Sequence, residues 1–296
     1  MTAVVELLKA ILYGIVEGIT EWLPVSSTGH LILLGEWLPF GFTKDPDLLA
    51  EFGEMFEVVI QLGAILAVVV IFWNKLWPFS KQKSVLEKRE TWNLWLKVVI
   101  ASVPAAAMGI LGDKLIEKLT GKDIDGWIYN ATVVAIALIV YGIAFILIER
   151  FRKPDLIRVE TTADITCKDA LFIGLFQMLS MVPGTSRSGS TILGSMLMGL
   201  SRPAAAEFSF FMAIPVMVGA SGIKVLGFLS FLGESGVAMP PLAWGILAAA
   251  CAVSFGVSML AIRFLTDFVK RHSFAPFGVY RIALGAFVLL YFWLIG

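Results

Sequence analysis

Two carboxylates stand four residues apart in a stretch that is otherwise apolar. Glu17 and Glu21 therefore share one face of a helix. If this stretch lies in a membrane, each carboxylate costs about 2.5–3.5 kcal/mol on insertion scales. The two also repel each other unless a cation lies between them. The pair predicts a divalent-cation or proton site, and the alternative is a polar stripe that faces water near the membrane surface.

The segment PVSSTGH at 24–30 follows these carboxylates and interrupts the apolar run. Pro24 ends one helix, and a hydroxyl residue can cap the next. Backbone N–H groups and hydroxyls at such a helix start form a cradle for phosphate, while a simple N-cap is the alternative. We predict a catalytic role for His30, because three hydroxyl residues and two carboxylates precede it closely. The candidate phosphate-binding residues here are Ser26, Ser27, Thr28 and Gly29.

A second break, PGTSRSGST at 183–191, again offers hydroxyls, glycines and a helix start. Arg187 adds the only charge between Asp169 and Arg202. An arginine in such a place is costly unless an anion or a carboxylate meets it. Its neighbours Thr185, Ser186, Ser188 and Gly189 are candidate phosphate ligands, and so is Arg202. Lys224 and Arg281 lie inside apolar stretches, where they are expected to snorkel or to line a cavity.

The composition indicates that these polar groups lie in a membrane protein. Of the 296 residues 58% are hydrophobic and only 16% are charged, too few to cover so much apolar surface in water. Lys plus Arg equal Asp plus Glu at 23 each, so no basic excess points to nucleic acid. We predict an all-α polytopic membrane protein that forms a single integral membrane domain over residues 1–296.

Six stretches are long and apolar enough to span a membrane. Lys and Arg cluster in the loops 74–93, 149–169 and 263–273, which are therefore predicted to be cytoplasmic. This alternation requires the region 169–200 to enter and leave on the cytoplasmic face as a re-entrant helix–break–helix hairpin. By analogy, the region 3–40 is predicted to be a re-entrant hairpin that enters and leaves on the outer face. Both termini are then outside, and no cleaved signal peptide is expected. The alternative is an ordinary span at 3–22. The six spans are 55–73, 94–112, 127–148, 208–232, 241–265 and 274–296.

The two interrupted regions resemble each other at an offset of 160 residues. Gly14 then aligns with Gly174, Glu17 with Gln177, Ser26 with Ser186 and Gly29 with Gly189. Similar units of opposite orientation form an inverted-topology repeat, which places broken helices face to face near the midplane. The first repeat is predicted over about 1–148 and the second over about 160–296. Arg187 would then approach the carboxylates.

Carboxylates, a hydroxyl or imidazole nucleophile, backbone donors and an arginine suit phosphoryl transfer. The inverted repeat leaves a second function open, namely a transporter or flippase of a phosphorylated lipid or small anion. These residues alone do not choose between the two.

EGITEWLPVSSTGHL at 17–31 and PGTSRSGST at 183–191 resemble the signature segments of the BacA/UppP-type undecaprenyl-diphosphate phosphatases. FEVVIQLGAILAVVVIFW at 56–73 and SRPAAAEFSFFMAIPVM at 201–217 are similar to that family too. The resemblance implies hydrolysis of undecaprenyl diphosphate to undecaprenyl phosphate and phosphate, which recycles the lipid carrier for peptidoglycan synthesis and confers bacitracin resistance. It implies a multi-pass protein of the bacterial inner (plasma) membrane, with its site open to the outer side.

The same resemblance implies a divalent cation, Mg2+ or Ca2+. Glu17 and Glu21 would bind it or act in acid–base steps. Ser26, Ser27 and Thr28 would hold phosphate, with Ser27 or His30 as nucleophile, while Ser186 and Arg187 clamp the diphosphate. Direct attack by metal-activated water is the remaining alternative. Membrane lipid and a second copy of the chain, as a homodimer, are the other partners considered.

Overall fold

The computed structural model describes residues 3–112, 130–153, 155 and 157–295. The described chain is helical, with one isolated bridge between Val159 and Leu200 in place of a sheet. A π-helical turn, Met108–Gly112, extends α5. Numbered in chain order among the described residues, the helices are α1 Ala3–Thr20, α2 Ser27–Trp37, α3 Pro46–Ile71, α4 Trp73–Leu76, α5 Val85–Ala107, α6 Ala131–Phe151, α7 Cys167–Met178, α8 Arg187–Leu197, α9 Arg202–Ser235, α10 Pro241–Arg271 and α11 Ala275–Ile295.

Six of these helices are long and apolar enough to cross a membrane, which confirms the predicted number of spans. Several helix ends differ from the predicted bounds: α10 continues to Arg271, through most of the cationic segment that was assigned to a loop. A helix satisfies its own backbone hydrogen bonds, so it can continue into the headgroup region with charged side chains outward. Residues 113–126, between the second and third predicted spans, and residues 127–129, where the third predicted span begins, lie outside the described residues.

Small residues allow several helices to pack with their backbones almost in contact, as is common in membrane proteins. A Cβ at Gly14 would lie 2.6 Å from the carbonyl oxygen of Ala250, and a Cβ at Gly18 would lie 2.8 Å from that of Ser254. Helices α1 and α10 therefore run parallel. Helices α6 and α11 approach each other as closely but run antiparallel: a Cβ at Gly142 would lie 2.6 Å from the Gly278 carbonyl oxygen, and one at Gly285 would lie 2.7 Å from that of Ala135.

The first interrupted region consists of α1, a short irregular segment at 21–26, and α2. Its two ends meet. The Lys9 ammonium donates to the Pro39 carbonyl oxygen at 2.5 Å and pairs with Glu6 at 3.0 Å. Glu6 in turn accepts a hydrogen bond from the Gly41 N–H at 3.1 Å. Since α1 begins and α2 ends at this cluster, the segment is a hairpin.

The second interrupted region closes in a similar way. A 3-10 turn, Leu179–Met181, and an irregular segment at 182–186 separate α7 from α8. The chain before α7 pairs with the chain after α8: the Arg158 N–H donates to the Gly199 carbonyl oxygen at 2.9 Å, and the Ser201 N–H to that of Val159 at 2.8 Å. The irregular segment between the helices of each hairpin is called a break below.

Candidate functional site at the two helix breaks

Each break ends in a serine with a strained backbone. Ser26 has φ 73° and Ser186 has φ 71°, and among the described residues no other non-glycine residue has a positive φ. Both serines are N-caps: Ser26 Oγ accepts from the Gly29 N–H at 3.4 Å, and Ser186 Oγ accepts from the Gly189 N–H at 3.1 Å. Left-handed backbone at a non-glycine residue costs about 1–3 kcal/mol and is concentrated at functional sites. The same unfavourable geometry recurs at both breaks.

The two breaks meet through three side chains. Ser27 Oγ donates a hydrogen bond to Glu21 Oε2 at 2.9 Å. The other carboxylate oxygen, Glu21 Oε1, accepts from Arg187 Nη2 at 2.8 Å. Glu21 and Arg187 are 166 residues apart in sequence, and both side chains are at most 10% exposed. A buried hydroxyl is thus bonded to a carboxylate that an arginine orients.

The rest of the Arg187 guanidinium is anchored on α9 and on the first break. Nη1 donates to the Ser209 carbonyl oxygen at 2.7 Å and lies 3.3 Å from the Ser209 hydroxyl. The guanidinium carbon stands 5.8 Å from the centre of the Trp22 ring, a cation–π distance. Nε is buried and has no hydrogen-bond partner among the described residues. Arg187 is therefore held in place, and one of its three nitrogens, Nε, has no partner among the described residues.

The remaining hydroxyls of the second break support the loop itself. Ser188 Oγ donates to the Glu21 carbonyl oxygen at 3.1 Å and so ties the two breaks together. Ser186 and Ser188 hydroxyls are 3.1 Å apart. Thr185 Oγ1 lies within hydrogen-bond distance of the carbonyl oxygens of Leu179 and Val182, at 3.0 Å and 2.7 Å. These contacts fix the start of α8.

Glu17 lies one helical turn before Glu21 and is fully buried. Neither of its carboxylate oxygens has a hydrogen-bond partner among the described residues. Glu21 and Glu57 are close enough to Glu17 for electrostatic repulsion. A buried carboxylate without partners is costly, so Glu17 needs either a proton or a cation. The described chain holds no group of three or more His, Cys, Asp or Glu residues able to bind a metal. Any cation would therefore take further ligands from substrate or water.

His30 lies one turn into α2 and has two partners of its own. Nδ1 is 2.7 Å from the Ser26 carbonyl oxygen, and Nε2 is 2.7 Å from the Tyr280 hydroxyl, with the two rings stacked. A carbonyl oxygen only accepts, so Nδ1 carries a proton. In the neutral ring Nε2 is then the acceptor of the Tyr280 hydroxyl. Thr28, two positions earlier, is half-buried.

Two residues of α11 complete the site. Arg281 is fully buried, and its guanidinium donates to the carbonyl oxygens of Pro24 at 3.0 Å, Gly184 at 2.7 Å and Thr185 at 2.9 Å. It therefore holds both breaks at once. A cation inside an apolar span was the sequence signal for Arg281. Its neighbour Tyr280 had no such signal, because an aromatic residue in an apolar stretch is ordinary.

Two cations from the sequence analysis lie elsewhere. Arg202 forms a salt bridge with Glu149 at 2.5 Å near the C-terminal end of α6, about two turns beyond Tyr141. Among the described residues it shares no hydrogen bond with Glu21, Ser27 or Arg187. A role for Arg202 in substrate binding stays a prediction. Lys224 pairs with Glu54 at 2.9 Å near the opposite end of α9.

The fold and the site define a multi-pass helical membrane protein in which a serine, a carboxylate and an arginine meet at two helix breaks. The chain belongs to the family of the bacitracin resistance protein BacA, whose model matches residues 10–287. Among curated relatives, the undecaprenyl-diphosphatase of Streptococcus gordonii is 51% identical over 287 residues, which cover 97% of this chain and 96% of the relative. Those of Acetivibrio thermocellus and Enterococcus faecalis are each 49% identical, over 97% of this chain and 98% and 97% of the relatives.

Proposed function

We propose that this chain hydrolyses undecaprenyl diphosphate to undecaprenyl phosphate and inorganic phosphate. This would recycle the lipid carrier for peptidoglycan synthesis and confer resistance to bacitracin. The observation that carries the proposal is the buried chain of hydrogen bonds from Ser27 through Glu21 to Arg187. A hydroxyl next to an oriented carboxylate is the arrangement of an activated nucleophile. Membership of the family and the names of the relatives support the same activity.

Ser27 is the nucleophile in this scheme. Its Oγ attacks the terminal phosphorus, and its proton passes to Glu21 Oε2, the atom to which it already donates. The bond between that phosphorus and the bridging oxygen breaks, so undecaprenyl phosphate leaves with the Glu21 proton. Glu21 then takes a proton from water, which attacks the phosphoserine and releases inorganic phosphate. The returning proton restores the Ser27 hydroxyl, so the cycle balances.

Arg187 would orient Glu21 and bind the diphosphate. Its unused Nε–H is the donor that a phosphate oxygen can take without disturbing the bonds to Glu21 and Ser209. The starts of α2 and α8 add the positive end of the helix dipole on either side. Negative charge that develops at the terminal phosphate is thus met by fixed donors.

His30 serves as a support rather than as the nucleophile. The Tyr280 hydroxyl occupies Nε2, and Nδ1 is bonded to the Ser26 carbonyl oxygen, so neither nitrogen presents a free lone pair. The Nδ1 contact holds the strained Ser26 and with it the start of α2, and the Tyr280 contact fixes the ring. The ring therefore sets the position of Ser27, the next residue.

Glu17 and Glu21 would hold the divalent cation. Mg2+ is commonly bound through one or two carboxylates together with substrate phosphates and water. The two unpartnered oxygens of Glu17 fit such a ligand, and the sparse set of nearby carboxylates leaves the other positions to the diphosphate. When bound, the cation would neutralise phosphate charge as a Lewis acid.

Both hairpins are re-entrant in this proposal. Helices α2 and α8 have 11 residues each, about 16 Å, which is half of the ~30 Å that a spanning helix must cover. In each hairpin the start and the end of the chain lie side by side, joined by the contact of Lys9 with Pro39 in the first and of Arg158 with Gly199 in the second.

The hairpins enter from opposite sides. Helix α1 runs parallel to α10, which begins after a loop without Lys or Arg and ends in a cationic segment. Helix α7 lies along α5, where a Cβ at Gly174 would be 2.3 Å from the Ala101 carbonyl oxygen and Lys97 donates to Ala163. Helix α5 begins after a lysine-rich loop. By the positive-inside rule, α1 starts outside and α7 inside.

Matched local geometry supports the inverted-topology repeat. Ser26 and Ser186, 160 positions apart, share a positive φ, an N-cap role and a following 11-residue helix. Glu17 and Gln177 hold the same offset, both are fully buried, and the side-chain polar atoms of both lack hydrogen-bond partners among the described residues. We place the protein in the bacterial plasma membrane, with the site open to the outer side, where the substrate's diphosphate is presented.

Phosphate release from undecaprenyl diphosphate by purified protein in detergent tests the proposal. Activity is expected with Mg2+ or Ca2+ and is expected to be lost with a chelator and in Ser27→Ala. Ser230→Ala, on the exposed side of α9, is the matched control and is expected to match the wild type. Absence of phosphate release under all metal conditions, or full activity of Ser27→Ala, would contradict it. Movement of intact substrate across vesicles without phosphate release would favour a transporter.

A further inference from the structure

A cavity lies away from the helix breaks, where the C-terminal ends of α6 and α8 meet the chain after α6. It has a volume of about 510 Å³, which is the size of a small-molecule site. We call it the cationic groove. Its rim carries Arg152, Lys153 and Arg158, and its walls include Leu147, Phe151 and Leu197. None of the described lining residues is acidic.

The three cations are not equally neutralised. Arg158 forms an ion pair with Asp169, which raises the pKa of the guanidinium. Arg152 donates through Nη2 to the Leu200 carbonyl oxygen at 2.6 Å, but its Nη1 is buried and has no hydrogen-bond partner in the part of the chain that the structure describes. Burial and the neighbouring Arg202 lower the pKa of Arg152, and the nearby carboxylate of Glu149 offsets this only in part. An anion in the groove would give the Arg152 Nη1 donor a partner.

The apolar walls face outward. Phe151 is 70% exposed, Leu197 is 55% exposed and Leu147 is 46% exposed, although all three lie on helices that pack in the membrane part of the molecule. Cations above exposed apolar side chains are the pattern expected at the level of lipid headgroups. A small free anion would satisfy the rim and leave the walls uncovered.

We propose that the cationic groove binds an anionic phospholipid, with its phosphate at Arg152 and Lys153 and one acyl chain along Phe151, Leu147 and Leu197. Basic pockets between transmembrane helices on the cytoplasmic side bind anionic headgroups in this way. The groove lies at the end of α6 that the charge pattern places in the cytoplasm. The bound lipid would brace the closure of the second hairpin, because Arg152 also holds Leu200, next to the pairing of Arg158 with Gly199.

The test measures how added lipid raises the Tm of the purified full-length protein in non-ionic detergent. Phosphatidylglycerol is expected to raise the Tm of the wild type, whereas phosphatidylcholine and inorganic phosphate are not. In Lys153→Gln and Arg152→Gln the apparent affinity for phosphatidylglycerol should fall about fivefold for each cation removed, given about 1 kcal/mol per cation near the surface. Lys81→Gln together with Arg89→Gln removes two exposed cations from the same side and should leave the response unchanged.

Arg152→Gln also removes the contact with Leu200 and could unfold the protein for that reason. Lys153→Glu is a second test without this complication, because Lys153 is exposed on the rim. It should abolish most of the response to lipid, and Lys81→Glu should not. An equal response of groove and control variants would overturn the proposal, because it would show general surface attraction. An equal response to phosphatidylcholine or to inorganic phosphate would overturn it as well.

Discussion

Arg187 Nη2 lies 2.8 Å from Glu21 Oε1, and this contact joins the second helix break to the first. It orients the carboxylate to which Ser27 donates and neutralises one of the charges that would otherwise make the pair Glu17 and Glu21 intolerable in a membrane. One arginine thus serves both the fold and the proposed chemistry.

Removal of Arg187 should therefore affect activity and stability together. Arg187→Ala leaves a buried carboxylate unpaired, which costs about 3–5 kcal/mol when a buried ion pair loses one partner. It also removes a phosphate donor, so we expect phosphate release to fall by about 100-fold or more. Arg187→Lys keeps the charge without the planar fork and should retain more stability than activity. Wild-type turnover of Arg187→Ala, measured by phosphate release, would exclude the proposed role.

Tyr280 and His30 should behave as a coupled pair. Tyr280→Phe removes only the hydroxyl that bonds to Nε2, and His30→Gln removes the ring. Each single variant should lower activity through the position of Ser27, and the double variant should be no worse than His30→Gln. A double-mutant cycle on phosphate release is expected to give a coupling energy of about 0.5–3 kcal/mol. If Nε2 were the nucleophile, Tyr280→Phe would free it and raise the rate instead.

Arg281 should be essential for the fold of the site. Its substitution by Gln leaves the carbonyl oxygens of Pro24, Gly184 and Thr185 without this donor, and each buried unsatisfied group costs about 1–3 kcal/mol. Arg281→Lys offers a single ammonium that does not span both breaks. Both variants should lower the Tm in detergent. Arg263→Lys, an exposed position on α10, is the control and should keep the wild-type Tm. Unchanged Tm and activity of Arg281→Gln would contradict this assignment.

Substitutions at two glycines of α3 distinguish the effect of helix packing on stability from that of helix propensity. A Cβ at Gly63 would lie 2.2 Å from the Cys251 carbonyl oxygen on α10, whereas a Cβ at Gly53 would meet nothing within 4 Å. Gly63→Ala should therefore destabilise the protein by about 1–3 kcal/mol through overpacking. Gly53→Ala should be neutral or stabilise by about 0.5–1 kcal/mol, because alanine favours a helix. The measurement is thermal unfolding in detergent, and equal Tm values for the two variants would count against the observed packing.

The local features of the fold could be predicted from the sequence because their causes are local. A run of apolar residues defines a spanning helix through hydrocarbon thickness, so the six spans were found. The helix ends were less accurate, as in α10, because hydropathy does not record how far a helix continues into the headgroup region. The polar groups of the two breaks could also be recognised in the sequence. They interrupt long apolar stretches, and the low overall charge content makes such interruptions easy to identify.

The sequence by itself determined which groups are unusual, namely the carboxylates, the serines of the breaks and Arg187. Only the tertiary structure decided their partners. Ser27 is bonded to Glu21, whereas His30 is bonded to Tyr280, which is 250 positions away in a stretch of ordinary apolar composition. Hydrogen bonds depend on distances of a few tenths of an ångström between atoms of different helices, and these distances follow from packing at small residues across the whole bundle. No local pattern encodes them, so the sequence left both Ser27 and His30 as candidate nucleophiles, and the proposal of Ser27 rests on these contacts.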